Sequence, residues 1–256
     1  MIKSVVAVFS MFVFIFHLQA RTLDEISASG ILRVGVPGDY APLAWHDDIT
    51  GKLQGFEIDL ANEFGNELKA RVEFVPTSWP ELSRDLTSGK FDIAIGGITA
   101  TAERAKTFAL SREVLPNGKI ALSHCKISAL YLSPETIDRP GVRVVVNPGG
   151  TNQSFVERNI HHAQIIRMGN NLDTLQAIRN QTADVMFTDL LEGQYYHTTE
   201  PETFCLTMNQ PFKGTESSKV WMMNNNSPDL LRMVNAFLQR EKLSALAKKW
   251  NVSIRP

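Results

Sequence analysis

Two carboxylates near position 190 are the residues whose type and spacing first suggest chemistry. Glu192 follows Asp189 by three positions in Thr188-Asp189-Leu190-Leu191-Glu192, directly after an apolar run. A carboxyl group held protonated in a cleft can serve as a general acid, which is one interpretation of Glu192. The other is a helix capping box, in which Asp189 caps the helix and Glu192 accepts a hydrogen bond from a free backbone N–H. The local sequence leaves both interpretations open.

A glycine-containing segment is a candidate anion-binding site. Asn147-Pro148-Gly149-Gly150-Thr151-Asn152 follows an apolar run and precedes a predicted helix. The two glycines let the backbone approach an anion, and the N–H groups at a helix start attract a carboxylate. The alternative is a tight turn with Thr151 as the helix N-cap, which is compatible with ligand binding. We expect Asn147, Gly150, Thr151 and Asn152 to contact a ligand.

Further candidate ligand contacts are two cations and two aromatic side chains. Arg104 follows the predicted strand 91–95, a location where α/β sheets place ligands, and its guanidinium can hold a carboxylate with two hydrogen bonds. Trp79 and Tyr40 could form apolar walls, and Lys119 could offer positive charge to a second carboxylate. The alternatives are an exposed arginine, an exposed lysine and aromatic residues of the core.

The elements that must position these residues alternate along the chain. Short β-branched runs separated by helical stretches predict an α/β protein, with mainly parallel sheets flanked by helices. Two segments rich in turn-forming residues, 115–118 and 209–212, predict crossings between two lobes. They divide the chain into a discontinuous lobe 1, residues 21–114 and 211–256, and a lobe 2, residues 115–210. We expect the ligand cleft between the lobes.

Residues 1–20 predict a secretory signal peptide that is not part of the fold. Lys3 supplies a positive charge, residues 5–16 are apolar, and Leu18-Gln19-Ala20 ends in a small residue before polar Arg21. The apolar run is shorter than the roughly 20 residues of a membrane span, and a retained anchor is the alternative. We expect export to the periplasm and no stable membrane insertion after cleavage.

Composition narrows the possible functions. The chain of 256 residues carries 26 basic and 27 acidic side chains, a balance that gives no reason to expect a nucleic-acid partner. Cys125 and Cys205 would remain after export, so we expect a disulfide, with two buried free thiols as the alternative. The cysteines form no Cys-x-x-Cys pair and the six histidines are scattered, so we assign neither redox chemistry nor a metal site.

Ordered motifs run through the mature chain and resemble a known superfamily. They are Gly38-Asp39-Tyr40-x-Pro42, Gly55-Phe56-Glu57-Ile58-Asp59-Leu60, Phe91-Asp92-Ile93-Ala94 and Gly97-Ile98-Thr99-x-Thr101-x-Glu103-Arg104. In this order they resemble the periplasmic amino-acid-binding proteins, which fold as two-lobed clamps. Four further segments, at 76–80, 147–152, 188–192 and 210–212, together with the positions of both cysteines, resemble cyclohexadienyl dehydratase, an enzyme branch with the same clamp.

The resemblance implies a reaction. Prephenate would become phenylpyruvate, or arogenate would become phenylalanine, by the combined loss of water and carbon dioxide. Glu192 would be the general acid, because the ring hydroxyl leaves as water only after protonation. Burial and neighbouring negative charge would keep Glu192 protonated. Thr99 and Arg104 would hold one substrate carboxylate, and no cofactor is implied because aromatisation drives the reaction.

The resemblance also implies an alternative from another class, a receptor that captures an amino acid for a membrane transporter. In such relatives the aspartate at position 189 receives the ligand ammonium group, which suits an amino acid or arogenate better than prephenate. Glu192 and the Gly149-Gly150 pair favour the enzyme. Two departures from the dehydratase pattern affect substrate alignment: Gly96 stands where a serine is expected, and residues 110–114 replace the usual Phe-Ser-x-Pro-Tyr.

Overall fold

The structure is a computed structural model that describes residues 20–208, 210–238 and 242–252. Residues 1–19 of the predicted signal peptide lie outside the described residues, so the signal peptide stays a prediction. Asn209, in the second predicted crossing, also lies outside them. In the described ranges, no helix is both long enough and apolar enough to cross a membrane.

Helices and strands alternate along most of the chain, as the sequence predicts. The helices are α1 (Leu23–Ser29), α2 (Phe56–Glu67), α3 (Leu82–Thr87), α4 (Ala102–Thr107), α5 (Pro134–Ile137), α6 (Thr151–Asn159), α7 (Asn171–Arg179), α8 (Leu190–Thr199), α9 (Pro228–Phe237) and α10 (Lys242–Lys249). The strands are β1 (Ile31–Val36), β2 (Asp39–Tyr40), β3 (Ala44–His46), β4 (Leu53–Gln54), β5 (Arg71–Pro76), β6 (Ile93–Ala94), β7 (Phe108–Leu110), β8 (Leu115–Asn117), β9 (Lys119–His124), β10 (Arg143–Val146), β11 (Gln164–Arg167), β12 (Val185–Asp189), β13 (Phe204–Leu206), β14 (Ser217–Lys219) and β15 (Met222–Asn224).

Two five-stranded sheets form the centres of the two lobes. Their strand orders are β5-β1-β6-β15-β7 and β11-β10-β12-β9-β13. The α/β class with two lobes is therefore confirmed. Each sheet is mixed, because its first three strands are parallel and its fourth runs antiparallel to both neighbours. That fourth strand, β15 or β9, follows a crossing between lobes, so the chain starts it at the cleft edge, where the parallel strands end.

Each lobe has its own hydrophobic core. In the first lobe, the rings of Trp221, Phe64 and Phe237 pack with centroids 5.2 to 6.2 Å apart. In the second lobe, Phe204 of β13 packs against Tyr196 of α8 at 5.3 Å. Full burial of an apolar side chain contributes roughly 1.5–3 kcal/mol to stability. The strands that carry site residues are thus anchored independently on the two sides of the cleft.

Two chain segments connect the lobes side by side. β8 pairs antiparallel with β14, which places Leu115 opposite Lys219 and Asn117 opposite Ser217. The first connection coincides with the predicted segment 115–118. The strand that returns beside it lies a few residues after the predicted segment 209–212. On this arrangement we propose the lobe division 21–114 with 211–256, and 115–210.

A disulfide joins Cys125 and Cys205, which confirms the predicted pairing over the free-thiol alternative. Cys125 directly follows β9 and Cys205 lies in β13, the strand that pairs with β9. The two Cα atoms are 4.8 Å apart, and the residues are separated by 80 positions. A cross-link over so long a loop restricts the unfolded chain, so it stabilises the second lobe.

Candidate functional site

The lobes enclose a cavity at the carboxyl ends of the parallel strands, the edge at which α/β sheets commonly bind ligands. Its free volume is about 20 Å³, which is room for roughly one water molecule. A ligand with a six-membered ring must therefore separate the lobes or displace side chains. The lining residues are Tyr40, Trp79, Gly97, Thr99, Arg104, Asn147, Gly150, Thr151, Asn152, Asn171 and Asp189.

Asp189 is the buried anion at the centre of the site. Its Oδ1 accepts hydrogen bonds from Asn117 Nδ2 at 2.8 Å and Lys119 Nζ at 2.7 Å. Its Oδ2 accepts from Tyr40 Oη at 2.7 Å and Lys219 Nζ at 2.6 Å. Burial alone would raise the pKa of Asp189, but the two ammonium groups hold that pKa well below its usual range. Asp189 is therefore ionised and ties the lobes together.

Lys119 carries positive charge into the second lobe's side of the site. It begins β9 and is 6% exposed. Besides Asp189, its ammonium group donates to Thr151 Oγ1 at 2.9 Å and to Asn152 Oδ1. The predicted role of Thr151 as a helix N-cap is wrong, because Gly150 occupies that position and Thr151 begins α6. The Thr151 hydroxyl is thus available to orient the lysine.

Lys219 is a second buried cation, and the sequence analysis did not identify it. Its side chain has no exposed surface, and its Nζ donates to Gly97 O at 2.8 Å and Thr99 Oγ1 at 3.0 Å as well as to Asp189. The Nζ also lies 5.0 Å from the centroid of the Tyr40 ring. Burial lowers the pKa of Lys219, and the negative charge of Asp189 opposes that shift. The ion pair with Asp189 favours the charged form of the lysine and so limits the downward shift.

Arg104 reaches the cavity from the first lobe, as predicted. Its Nη1 donates to the carbonyl oxygen of Thr99 at 2.7 Å. Among the described residues, no carboxylate lies within ion-pair distance of its guanidinium. Burial lowers the pKa of Arg104. An arginine with several N–H groups free of a protein carboxylate can bind the carboxylate of a ligand.

The Gly149-Gly150 segment has two separate structural roles. The N–H of Gly149 donates to Gln153 Oε1 at 2.7 Å, so it is not available to an anion. Gly150 borders the cavity, and a β-carbon placed on it would have no neighbour within 4 Å. Asn147, at the end of β10, also borders the cavity. The open side of this loop is therefore formed by Asn147 and Gly150.

Tyr40 and Trp79 form an aromatic wall on the first lobe. Their rings meet edge to face with centroids 6.2 Å apart. Trp79 Nε1 donates to Asp39 Oδ1 at 2.9 Å, which fixes the orientation of the indole. The wall can contact the face or edge of a planar ring, while the hydroxyl of Tyr40 is directed to Asp189.

Glu192 lies one layer behind the cavity. It is fully buried, with Oε1 accepting from Asn171 Nδ2 and Oε2 hydrogen-bonded to the hydroxyl of Thr188. Burial raises the pKa of Glu192 to about 8, and the charges of Asp189 and Asp39 act in the same direction. The carboxyl is therefore protonated at neutral pH. The capping-box interpretation is wrong, because the side chain of Asp189 caps no N–H and Glu192 contacts side chains instead.

Asn171 connects Glu192 to the cavity. It is buried at the start of α7, and its Nδ2 donates both to Glu192 Oε1 and to the carbonyl oxygen of Asp39 at 3.1 Å. Its Oδ1 is buried without a hydrogen-bond partner in the described part of the chain. Asn171 is thus the residue that separates the protonated carboxyl from the free space of the site.

Comparison with known proteins establishes the family. A model of the bacterial extracellular solute-binding proteins, family 3, matches residues 32–253. The chain belongs to this family. The residues matched by the family model lie in both lobes and include every predicted ligand-contacting residue.

Relatives of this family 3 chain include an enzyme and receptors. The cyclohexadienyl dehydratase of Pseudomonas aeruginosa is 38% identical over 200 residues, covering 78% of this chain and 74% of that protein. An L-cystine-binding protein of Escherichia coli is 26% identical over 232 residues, covering 89% and 85%. A solved ancestral amino acid-binding protein, described as a precursor of cyclohexadienyl dehydratase, has a TM-score of 0.82 at 32% identity, covering 89% and 98%.

In this family 3 chain, the structure brings most of the predicted site residues to one cavity. Nine of them border its free space: Tyr40, Trp79, Thr99, Arg104, Asn147, Gly150, Thr151, Asn152 and Asp189. Lys119 contacts three of these residues, whereas Glu192 does not reach the free space. The described residues contain no cluster of three or more His, Cys, Asp or Glu side chains placed to hold a metal ion.

Asn117, Asn171 and Lys219 are site residues that were not predicted from the sequence. Asn117 lay inside the predicted crossing 115–118, where it was treated as a turn residue. Lys219 opens the apolar run Lys219-Val220-Trp221-Met222-Met223, and a lysine at the start of a buried strand was the available signal. Asn171 directly precedes the helix predicted over residues 172–180, where asparagine ordinarily serves as a cap.

Proposed function

We propose that the protein is a decarboxylating dehydratase that converts prephenate to phenylpyruvate, arogenate to phenylalanine, or both. One observation carries this proposal: Glu192 is fully buried beside the cavity, and its pKa of about 8 keeps a proton on it at neutral pH. A receptor does not require a proton donor at this position. The 38% identity to a cyclohexadienyl dehydratase supports the same reaction.

Substrate binding would rest on Arg104 and the open loop of the second lobe. In the proposed complex, Arg104 and Thr99 hold the side-chain carboxylate of the substrate from the first lobe. Asn147, Gly150 and Lys119 face it from the second lobe. The Tyr40 and Trp79 wall lies against the cyclohexadienyl ring. These contacts orient the ring so that its hydroxyl points toward Asn171 and the carboxyl behind it.

The chemistry needs one proton and no external electrons. Glu192 donates its proton to the ring hydroxyl, and the C–O bond breaks as water leaves. The bond between the ring and its carboxylate breaks at the same time, its electron pair completes the aromatic ring, and carbon dioxide departs. General acid catalysis of this kind contributes roughly 10²–10⁴-fold to the rate. Glu192 then takes a proton from solvent.

The position of Glu192 imposes one structural step. Because Asn171 covers the carboxyl, the side chain of Glu192 must rotate past Asn171, or Asn171 must turn away, when the substrate fills the site. The small free volume of the cavity already requires the lobes to separate, or side chains to move, before a ring can enter. Reclosure around the substrate would exclude water and strengthen the charged contacts.

The competing function is an amino-acid receptor of a membrane transporter. The observation in its favour is that Glu192 does not touch the free space of the cavity, and receptors are present among the relatives. Under either function we place the protein in the periplasm, with a small-molecule carboxylate as its ligand and a transporter as partner only for the receptor.

The test is an ultraviolet assay of residues 21–256 with prephenate at neutral pH. We expect phenylpyruvate to form well above the spontaneous rate, and Glu192→Gln to lower turnover by at least about a hundredfold while ligand binding persists. The exposed Glu202→Gln is the matched control for the same chemical change and should retain full turnover. Undiminished turnover in Glu192→Gln would remove Glu192 from the mechanism. An absence of turnover, with thermal stabilisation by an amino acid, would identify a receptor.

A further inference from the structure

The carboxylate of Asp189 has no free capacity for a ligand cation. Both of its oxygens accept two hydrogen bonds each, from Asn117 and Lys119 on Oδ1 and from Tyr40 and Lys219 on Oδ2. A carboxylate has about four lone-pair positions, so these four donors saturate it. Two of the donors are ammonium groups. The contacts that a ligand ammonium would need are therefore already made by the protein.

No other described carboxylate is placed on the cavity to replace Asp189 in this role: Asp39 lies behind Trp79 and Asn171, from whose N–H groups it accepts hydrogen bonds. Asp189 is the only acidic residue among the described residues that line the cavity. Glu192 lies behind Asn171 and is protonated at neutral pH. Glu57 is buried behind the backbone of Gly96 and Gly97, whose N–H groups donate to it. A ligand ammonium group would thus enter a site without an available anionic acceptor.

The charges around the cavity favour an anion instead. Lys119, Lys219 and Arg104 bring three positive charges to the cavity or its immediate wall, against the negative charges of Asp189 and of Asp39, which accepts hydrogen bonds from Trp79 and Asn171. The remaining positive charge favours an anionic ligand. An added ammonium group would face like charges at short range, where a partly dehydrated site makes repulsion costly.

Lys219 is the cation that a ligand is least able to displace. Its ammonium group is enclosed by Gly97 O, Thr99 Oγ1, Asp189 and the ring of Tyr40, and its side chain has no exposed surface. Moving Lys219 aside would leave a buried ammonium without its counter-charge, which is strongly unfavourable. Lys119, with 7% of its side chain exposed, is less completely enclosed.

We propose that Lys219 determines the ligand class of this site: its ammonium group occupies the position on Asp189 that a ligand ammonium would take, so 2-oxo acids bind in preference to the corresponding amino acids. For the enzyme this means prephenate over arogenate, a statement that rests on the proposed function. The preference for an oxo group over an ammonium group follows from the hydrogen bonds that Asp189 already accepts, and it does not depend on the proposed reaction.

The first test uses the unmodified protein and a minimal pair of ligands. Phenylpyruvate and L-phenylalanine differ only in carrying an oxo or an ammonium group at the same carbon. Isothermal titration calorimetry at pH 7 should give phenylpyruvate a dissociation constant at least roughly tenfold lower. Equal affinities, tighter binding of L-phenylalanine, or binding of neither ligand up to millimolar concentration would overturn the proposal.

The second test removes the cation. Lys219→Met keeps an unbranched apolar side chain in the buried position but frees one position on Asp189 Oδ2. The ratio of the two affinities should shift toward L-phenylalanine by at least roughly tenfold. Lys248→Met, at an exposed lysine of α10, is the matched control and should leave the ratio unchanged. A folded Lys219→Met protein with the unmodified ratio would refute the role of Lys219, and a variant that fails to fold leaves the first test decisive.

The inference and the proposed function fail in distinguishable ways. If the protein prefers phenylpyruvate but does not turn over prephenate, the dehydratase assignment fails and the role of Lys219 stands. If it turns over prephenate and arogenate with equal kcat/KM and binds both products equally, the dehydratase stands and the role of Lys219 is lost.

Discussion

Gly149 of the second lobe lies against Pro80 of the first lobe with almost no space between their backbones. A β-carbon on Gly149 would lie 2.4 Å from the nitrogen of Pro80, and Gly149 has a φ of +85°. The closed arrangement of the lobes therefore depends on the absence of a side chain at position 149.

We predict that Gly149→Ala holds the lobes apart. Small-angle scattering should show a larger radius of gyration, and calorimetry with phenylpyruvate should show roughly tenfold or greater loss of affinity. Gly141→Ala is the matched control, because Gly141 has a similar φ of +89° but no atom within 4 Å of a new β-carbon. The same loss of affinity in both variants would attribute the effect to backbone strain instead of lobe contact.

The rate should follow the protonation of Glu192. Because Glu192 acts in its protonated form and its pKa is about 8, kcat/KM for prephenate should be level near pH 7 and fall about tenfold per pH unit above pH 8. A profile measured from pH 6 to 10 tests this. A rate that stays level to pH 9.5 would show that another group supplies the proton.

Stability should depend on the same carboxyl with a defined sign. The pKa of Glu192 is raised in the folded state from 4.5 to about 8, so the folded state binds one more proton than the unfolded state between these values. The free energy of unfolding must therefore fall as pH rises through this window, by at most roughly 4–5 kcal/mol. The Glu192→Gln variant has no titrating group at this position, so its free energy of unfolding should not show this fall. Urea unfolding of both proteins at pH 5 and 8.5 should show the variant gaining relative stability at the higher pH, and a difference independent of pH would contradict the shifted pKa.

Arg104→Ala should weaken binding of every carboxylate ligand by roughly 10- to 100-fold, the usual effect of losing a charged hydrogen-bond donor. Arg104→Lys keeps the charge but loses the paired donors, so it should recover only part of the affinity. Calorimetry with phenylpyruvate measures the affinity of each variant. Unchanged affinity in Arg104→Ala would place the carboxylate elsewhere in the cavity.

Replacing both Cys125 and Cys205 by serine should lower the free energy of unfolding by about 2–5 kcal/mol, because the unfolded chain gains freedom over a separation of 80 residues. Urea unfolding of the oxidised protein and the double variant tests this prediction. A difference below about 1 kcal/mol would mean that the disulfide constrains a loop that stays ordered after unfolding.

Local patterns predicted those parts of the fold that depend on local interactions. The parallel strands β1, β5 and β10 fall on β-branched runs, and helix α6 begins at Thr151, directly after the two glycines that precede the predicted helix. β9 was not predicted, although all six of its residues are buried. It carries Lys119 and His124 at its ends, and the burial of these polar residues depends on partners that only the tertiary fold supplies.

The site residues also divide into those indicated by local motifs and those that depend on contacts between distant parts of the chain. Arg104, Thr99 and Asn147, which the motifs predict as ligand contacts, border one cavity, and their contact with a ligand stays a prediction. The capping-box pattern at Asp189 failed because the donors that bind Asp189 lie 30 to 149 positions away in the chain. Interactions over such distances replaced a local hydrogen bond that the sequence could equally well have formed. The role of Lys219 likewise depends on distant partners, Gly97, Thr99 and Asp189.

The ion pair between Lys219 and Asp189 crosses from the hinge strand β14 to the end of β12. On the proposed lobe division Lys219 belongs to lobe 1 and Asp189 to lobe 2, so separation of the lobes would lengthen this ion pair and closure on a ligand would re-form it, while Lys119 at the start of β9 stays beside Asp189 in the same sheet. The electrostatic potential inside the cleft is therefore a function of the angle between the lobes. A ligand would therefore meet one arrangement of charges in the open cleft and a different one in the closed cleft.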